Sequence, residues 1–200
     1  MTHTIHLHPT AEAAERVVLV DDPGRALALA QVLCAPTPRM FNHHRGLWGY
    51  TGTGLDGAPL TLQATGIGGP SAAVVVEELA RLGARRLVLV GTCVGADLVV
   101  VGSAIGADGA SRALGADERI APDAALTRAL AGALPDVAVA VVRSRDLFYA
   151  PADDLTDLET AAVLASAARR ELAAAAVLVG PDGDDAVVAA AGRAALAALA

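Results

Sequence analysis

Residues 60–95 constrain the fold more than any other part of the chain. They read LTLQATGIGG, then PSAAVVVEELARLGA, then RRLVLVGTCVG. The first piece alternates in hydropathy and breaks at Thr65-Gly66-Ile67-Gly68-Gly69 into a tight turn. Pro70 and Ser71 then open a helix, because proline suits the first helical turn and a serine hydroxyl can cap free N–H groups. Val74, Val75, Leu79 and Leu82 give that helix an apolar face, and Glu77, Glu78 and Arg81 are predicted to face water. Gly83 ends it. Residues 87–90 are continuously apolar, the pattern of a strand covered on both faces. Strand, crossover helix and parallel strand form one βαβ unit. Both strands end in glycine-rich turns at their carboxyl ends, where open α/β sheets hold ligands.

Composition sets limits on that reading. A chain of 200 residues favours one domain spanning 1–200 with ample material for a core. A net charge of −7 argues against a nucleic-acid or membrane-surface role. No uncharged apolar run reaches the length of a membrane span, and the N-terminus lacks the basic start and apolar run of a signal peptide. Cys34 and Cys93 are too few for a disulfide framework, so a reducing cytoplasm is the expected location.

Upstream, residues 16–20 form a short apolar strand that runs into Asp21-Asp22-Pro23-Gly24-Arg25 and then a helix over about 26–34. Such a turn can present an arginine and backbone N–H groups to an anion, or it can be an ordinary βα turn with a solvated arginine. Residues 41–54 are aromatic and turn-rich and are predicted to form a hairpin with 60–64. His43 and His44 are adjacent, so in a strand they face opposite sides and make a poor metal pair; no metal is expected. Downstream, strands are predicted at 98–101, 137–142 and 177–179, and helices at 122–133, 158–172 and from 186 onward. An acidic loop is expected over 151–157. The pattern is a single-domain αβα sandwich around a central, mostly parallel mixed sheet.

Six segments recur in an order that resembles the nucleoside phosphorylase superfamily. They are Asp22-Pro23-x-Arg25, Arg45-Gly46-Leu47-Trp48-Gly49-Tyr50-Thr51-Gly52-Thr53, Thr65 to Ser71, Val90-Gly91-Thr92-Cys93, Asp146-Leu147-Phe148-Tyr149 and Leu158-Glu159-x-Ala161-Ala162. The resemblance covers nearly the whole chain and lies nearest the bacterial hexameric purine nucleoside phosphorylases. It implies cleavage of the N-glycosidic bond of a purine-type nucleoside by phosphate, giving free base and ribose 1-phosphate. Inorganic phosphate is then a co-substrate, and no cofactor is needed.

Breaking that bond builds positive charge on the sugar ring and negative charge on the departing base. By resemblance, Glu159 grips the sugar hydroxyls and favours the cationic ring; on its own sequence it also reads as a solvated glutamate on an alanine-rich helix. Asp182, 23 residues beyond Glu159, matches the acid that protonates the base, and it also reads as a plain turn aspartate. To act as an acid near neutral pH it needs a raised pKa. Phe148 matches an aromatic that stacks on the base, while Ile67 and Leu158 match residues lying against the nucleoside. Arg25, Arg45 and Thr92 match phosphate contacts. His6 and Arg45 correspond to residues lent across a subunit contact, which implies a homo-oligomer built on dimers, up to a hexamer.

The chain departs from the family pattern in the phosphate corner. Asp21 stands where the family has glycine, and Leu89 where the hexameric enzymes have a further arginine. Loss of one guanidinium removes a charge-assisted contact worth about 1.5–3 kcal/mol. The segments after Gly95, after Pro151 and after Asp182 are also short, which predicts a more open pocket. Two further readings therefore stand beside phosphorolysis: a nucleosidase using water on the same fold, and a non-catalytic relative that binds a nucleoside or only assembles with a partner.

Overall fold

The structure, a computed structural model, describes residues 4–116, 118–149 and 154–200. The predicted acidic loop over 151–157 therefore lies partly outside the described residues.

The elements follow the chain in a βα rhythm. β1 (Arg16–Val20) leads into α1 (Pro23–Leu33), which starts earlier than the sequence pattern suggests. Asp22 is the cause: its carboxylate accepts the Arg25 N–H at 2.7 Å, and Pro23 occupies the first helical turn. The predicted hairpin region resolves into β2 (Arg39–Asn42), a short 3-10 turn (His44–Gly46) and β3 (Gly49–Thr53), which pairs antiparallel with β4 (Pro59–Ala64). α2 (Gly69–Arg81) and β5 (Arg86–Thr92) complete the βαβ unit. β4 and β5 both pair parallel with β1, so the crossover sets its two strands on either side of β1.

Next come β6 (Leu98–Gly106), α3 (Gly109–Ala113), β7 (Arg119–Ile120), α4 (Ala124–Ala133) and β8 (Val139–Ser144). β9 (Thr156–Asp157), α5 (Thr160–Arg169), β10 (Ala173–Val179) and α6 (Asp185–Leu199) close the chain. All strands join one sheet in the order β2-β3-β4-β1-β5-β10-β6-β8-β9, with β7 on β6. The pairs at its centre are parallel except β10 with β6.

Residue alternation divides the core. Val18 and Val20 of β1 and Val88 and Val90 of β5 face one cluster with α1, α4 and α6. Val17, Leu19, Leu87 and Leu89 face the other with α2 and α5. A period of two with both faces buried is what a continuous apolar run requires of a central strand. Small residues let the helices sit close. A Cβ on Gly192 of α6 would come 2.6 Å from Leu29 Cδ2 of α1. Among the described residues, no helix is long and apolar enough to cross a membrane.

Candidate active site

The carboxyl ends of β1, β4, β5, β8 and β9 open onto one cavity of about 1090 Å³, at the edge where open α/β sheets carry their ligands. Each strand delivers a different kind of side chain to it.

The turn after β4 is built from glycines with positive φ, +71° at Gly66 and +86° at Gly68. Ser71 does not cap α2 as predicted. Its hydroxyl reaches back to donate to the Thr65 carbonyl at 2.5 Å, and Gly68 takes the N-cap position with no side-chain cap. The free N–H of Gly68 is thereby turned toward Glu159, whose Oε2 accepts it at 3.3 Å. Ile67, 79 % exposed, lines the cavity from the same turn.

Glu159 is 3 % exposed and stands just ahead of α5. Burial pushes its pKa well above the ordinary range, and the carboxylates of Asp157 and Asp21 add to the rise; the Gly68 N–H and the Arg25 charge oppose it only in part. Asp157, two residues earlier, is fully buried and differs in its partners. It accepts from the Ser144 hydroxyl at 2.5 Å, the Thr160 N–H at 2.7 Å, the Glu159 N–H at 3.3 Å and the Thr160 hydroxyl. The Ser144 oxygen in turn accepts the Ala161 N–H at 2.8 Å. Burial raises the Asp157 pKa, and these bonds offset the rise only in part. Asp157 is met by four donors and Glu159 by one, so both carboxyls are shifted toward the protonated form and Glu159 the more strongly.

Opposite lies a polar corner at the ends of β1 and β5. Arg25 Nη1 is 2.8 Å from Asp21 Oδ1 and 3.1 Å from Thr92 Oγ1, with the Val90 carbonyl at 3.5 Å. Arg45 lines the same cavity from the 3-10 turn, where it adopts a left-handed φ of 58°. Such a backbone is uncommon for a residue other than glycine and tends to mark a functional position. Leu89 contributes no polar group, being fully buried on β5. The far wall comes from the loop after β8. Asp146, Leu147, Phe148 and Tyr149 line it, and the Phe148 and Tyr149 rings meet edge to face at 5.4 Å.

Of the residues singled out from sequence, Arg25, Arg45, Ile67, Thr92, Phe148, Leu158 and Glu159 line this one cavity. Asp182 and His6 do not. Asp182 is exposed on the loop after β10, in a turn closed by the Gly183 N–H donating to the Gly180 carbonyl at 3.0 Å. Asp182, matched from sequence to the acid for the base, is thus not among the residues that line the cavity with Glu159. Counting an ungapped register along the chain carries no information about which way a shortened loop turns. His6 is held elsewhere, its Nδ1 2.9 Å from Glu78 Oε1. Glu78, predicted to face water, is 5 % exposed, and it also accepts the N–H groups of Ile5, His6 and Leu7.

Asp21, singled out from sequence as a departure in the phosphate corner, and Asp146, given no role from sequence, also line the cavity. For Asp146 the available signal was its position within a matched segment. Among the described residues no group of three or more His, Cys, Asp or Glu is placed to hold a metal ion.

A mostly parallel sheet whose carboxyl edge opens onto one cavity lined by both carboxyl and guanidinium groups defines an α/β enzyme-type pocket. The chain belongs to the Phosphorylase superfamily, whose family profile matches residues 15–199. It is 39 % identical to a uridine phosphorylase of Treponema pallidum (strain Nichols) over 150 residues, which is 66 % of this chain and 55 % of that protein. It is 32 % identical to a guanosine phosphorylase of Halorubrum lacusprofundi over 187 residues, covering 82 % of this chain and 76 % of that one. The chain thus spans about half the length of the first of these relatives. Among solved structures, uridine phosphorylase of Vibrio fischeri ES114 superposes with a TM-score of 0.83 at 24 % identity, over 98 % of this chain and 96 % of that one. That likeness is one of fold.

Proposed function

We propose that this chain cleaves the N-glycosidic bond of a purine-type nucleoside with phosphate as the acceptor. The observation that carries the reading is Glu159: a buried carboxyl in a cavity wall, facing a corner where Arg25 and Thr92 meet. In this reading the sugar lies between them. The bond from C1′ to the base nitrogen breaks, a phosphate oxygen bonds to C1′, and the base leaves with a proton. Glu159 binds the sugar hydroxyls and, once ionised, stabilises the positive ring in a water-poor setting. Arg25, Thr92 and Arg45 receive the phosphate, while Ile67, Phe148 and Leu158 pack against the nucleoside.

Asp146 takes the acid's place at the base end. It shares a loop with Phe148 and lines the cavity, and only its Oδ2 has a partner among the described residues, the Gly109 N–H at 3.1 Å. The purine assignment draws on the Asp146-Leu147-Phe148-Tyr149 segment and on a cavity volume ample for a two-ring base. A second copy lending His6 to its neighbour belongs to the same proposal, with exposed Ile5 beside it in sequence, whereas Arg45 serves the cavity of its own chain.

Hydrolysis is the second reading, favoured by the Asp21–Arg25 ion pair, which already partners the guanidinium. A panel of purine and pyrimidine nucleosides with and without phosphate, scored for free base and sugar phosphate, separates the two. Base release that needs phosphate supports phosphorolysis. Equal release without it removes that reading in favour of water.

A further inference from the structure

The reading above gives Arg25 and Thr92 a task but leaves Asp21 without one. Asp21 is an acceptor with one donor against it: its side chain is 15 % exposed, its Oδ1 lies 2.8 Å from Arg25 Nη1, and the same nitrogen contacts Thr92 Oγ1 at 3.1 Å. The neighbouring carboxylate Asp22 is occupied as the cap of α1. Among the described residues Arg25 Nε and Nη2 have no hydrogen-bond partner, so the guanidinium keeps donors for a ligand while Asp21 cancels its charge.

We propose that Asp21 makes this corner selective for an oxyanion that carries a proton, so that orthophosphate enters and sulfate is refused. The proposal rests on the phosphorolytic reading and deepens it. A tetrahedral anion seated on Arg25 and Thr92 meets the Asp21 carboxylate. If every oxygen of the anion is bare, that meeting is one of like charges in a partly buried setting, where repulsion is screened poorly. If one oxygen bears hydrogen, it donates to Asp21, and the repulsion becomes a charge-assisted hydrogen bond. Orthophosphate keeps at least one proton near neutral pH, and sulfate keeps none. Leu89 is apolar and buried, so β5 adds no second cation to outweigh Asp21. Arg45 supplies charge only from the exposed rim.

The test compares phosphate with sulfate on the intact protein, first by the rise in melting temperature each anion gives and then by sulfate inhibition of phosphate-dependent base release. For the unsubstituted chain we expect protection by phosphate and little or none by sulfate. In Asp21→Asn the carboxylate charge is gone, and sulfate should compete with phosphate at a concentration lower by about tenfold or more. Equal protection of the unsubstituted chain by both anions overturns the proposal, and that comparison needs no variant. So does an Asp21→Asn protein that folds and keeps the original preference. If phosphate neither protects nor is needed for base release in either form, phosphorolysis itself falls and takes this inference with it. That result differs from an enzyme that needs phosphate and accepts sulfate equally, which overturns the selectivity alone.

Discussion

Glu78 and Glu159 are both buried glutamates, 5 % and 3 % exposed, and the chain treats them in opposite ways. Burial pushes the Glu78 pKa up, yet the N–H groups of Leu7, Ile5 and His6 and the His6 imidazole outweigh it and hold the carboxyl at about 2. Glu159 has one N–H at 3.3 Å and two negative neighbours, so its pKa moves the other way. A buried carboxylate whose oxygens are met is a clasp, here tying residues 5–7 to α2. One left nearly unmet on a cavity wall is held ready for something the chain does not itself supply.

The largest effect that follows concerns activity. Glu159→Gln keeps the shape of the side chain and removes its charge, and kcat/KM for nucleoside cleavage should fall by about 10²–10³-fold. Its melting temperature at neutral pH should not fall, because the folded chain disfavours the charged form of that carboxyl and the amide cannot ionise. Full activity in this variant would reduce Glu159 to the same structural rank as Glu78.

Glu78→Gln should behave in reverse. Three N–H donors then face an amide that can no longer offer two charged oxygens, at a cost of about 2–3 kcal/mol. For a chain of this size that lowers the melting temperature by about 5–10 °C. Nucleoside cleavage below the transition should fall far less than in the Glu159 variant, since Glu78 touches the reaction only through its hold on His6. A loss of activity matching that of the Glu159 variant would break the contrast.

Smaller still are the pH slopes, which sharpen the contrast without touching the site. Glu78 is depressed from an ordinary 4.5 to about 2, so its contribution is complete above 4.5 and disappears as the pH falls through 2. Glu159 is raised, so the folded state holds its proton longer than the unfolded chain. Its effect is to lower stability as the pH climbs from 4.5 towards the raised value. Denaturant titrations should therefore give Glu78→Gln a flatter acid limb and Glu159→Gln a flatter limb above pH 4.5. The same limb changing in both variants would count against the assignment.

How far these two residues could be read from sequence differs for the same physical reason. Residues 60–95 announced β4, α2 and β5 because hydrophobic period and glycine turns are local signals. β10 was predicted only over 177–179, because its first residues are alanines, which carry little strand preference, and burial between β5 and β6 overrides that. Glu159 was legible through a motif. Glu78 was misread as solvent-facing because its partners lie more than seventy residues away, at 5–7, where helical periodicity cannot see them. Arg25 and Thr92 were recognised singly, but the contact between them is a tertiary fact about the ends of β1 and β5.

The smallest effect extends the comparison to the two exposed acids, Asp146 and Asp182. Asp182 was the acid expected from its spacing to Glu159, yet it stands outside the cavity while Asp146 lines it. A solvent-exposed proton donor contributes near the low end of general acid catalysis, so Asp146→Asn should lower kcat with a purine nucleoside by about tenfold. Asp182→Asn should change it by less than about twofold, the background for a surface substitution. Substrates whose leaving group needs no proton discriminate further, since Asp146→Asn should be nearly silent with a 7-alkylated purine nucleoside, whose base departs neutral. A large loss in Asp182→Asn, confined to substrates that need protonation, would mean that the loop after β10 folds inward during turnover, and Asp182 would then displace Asp146 as the acid.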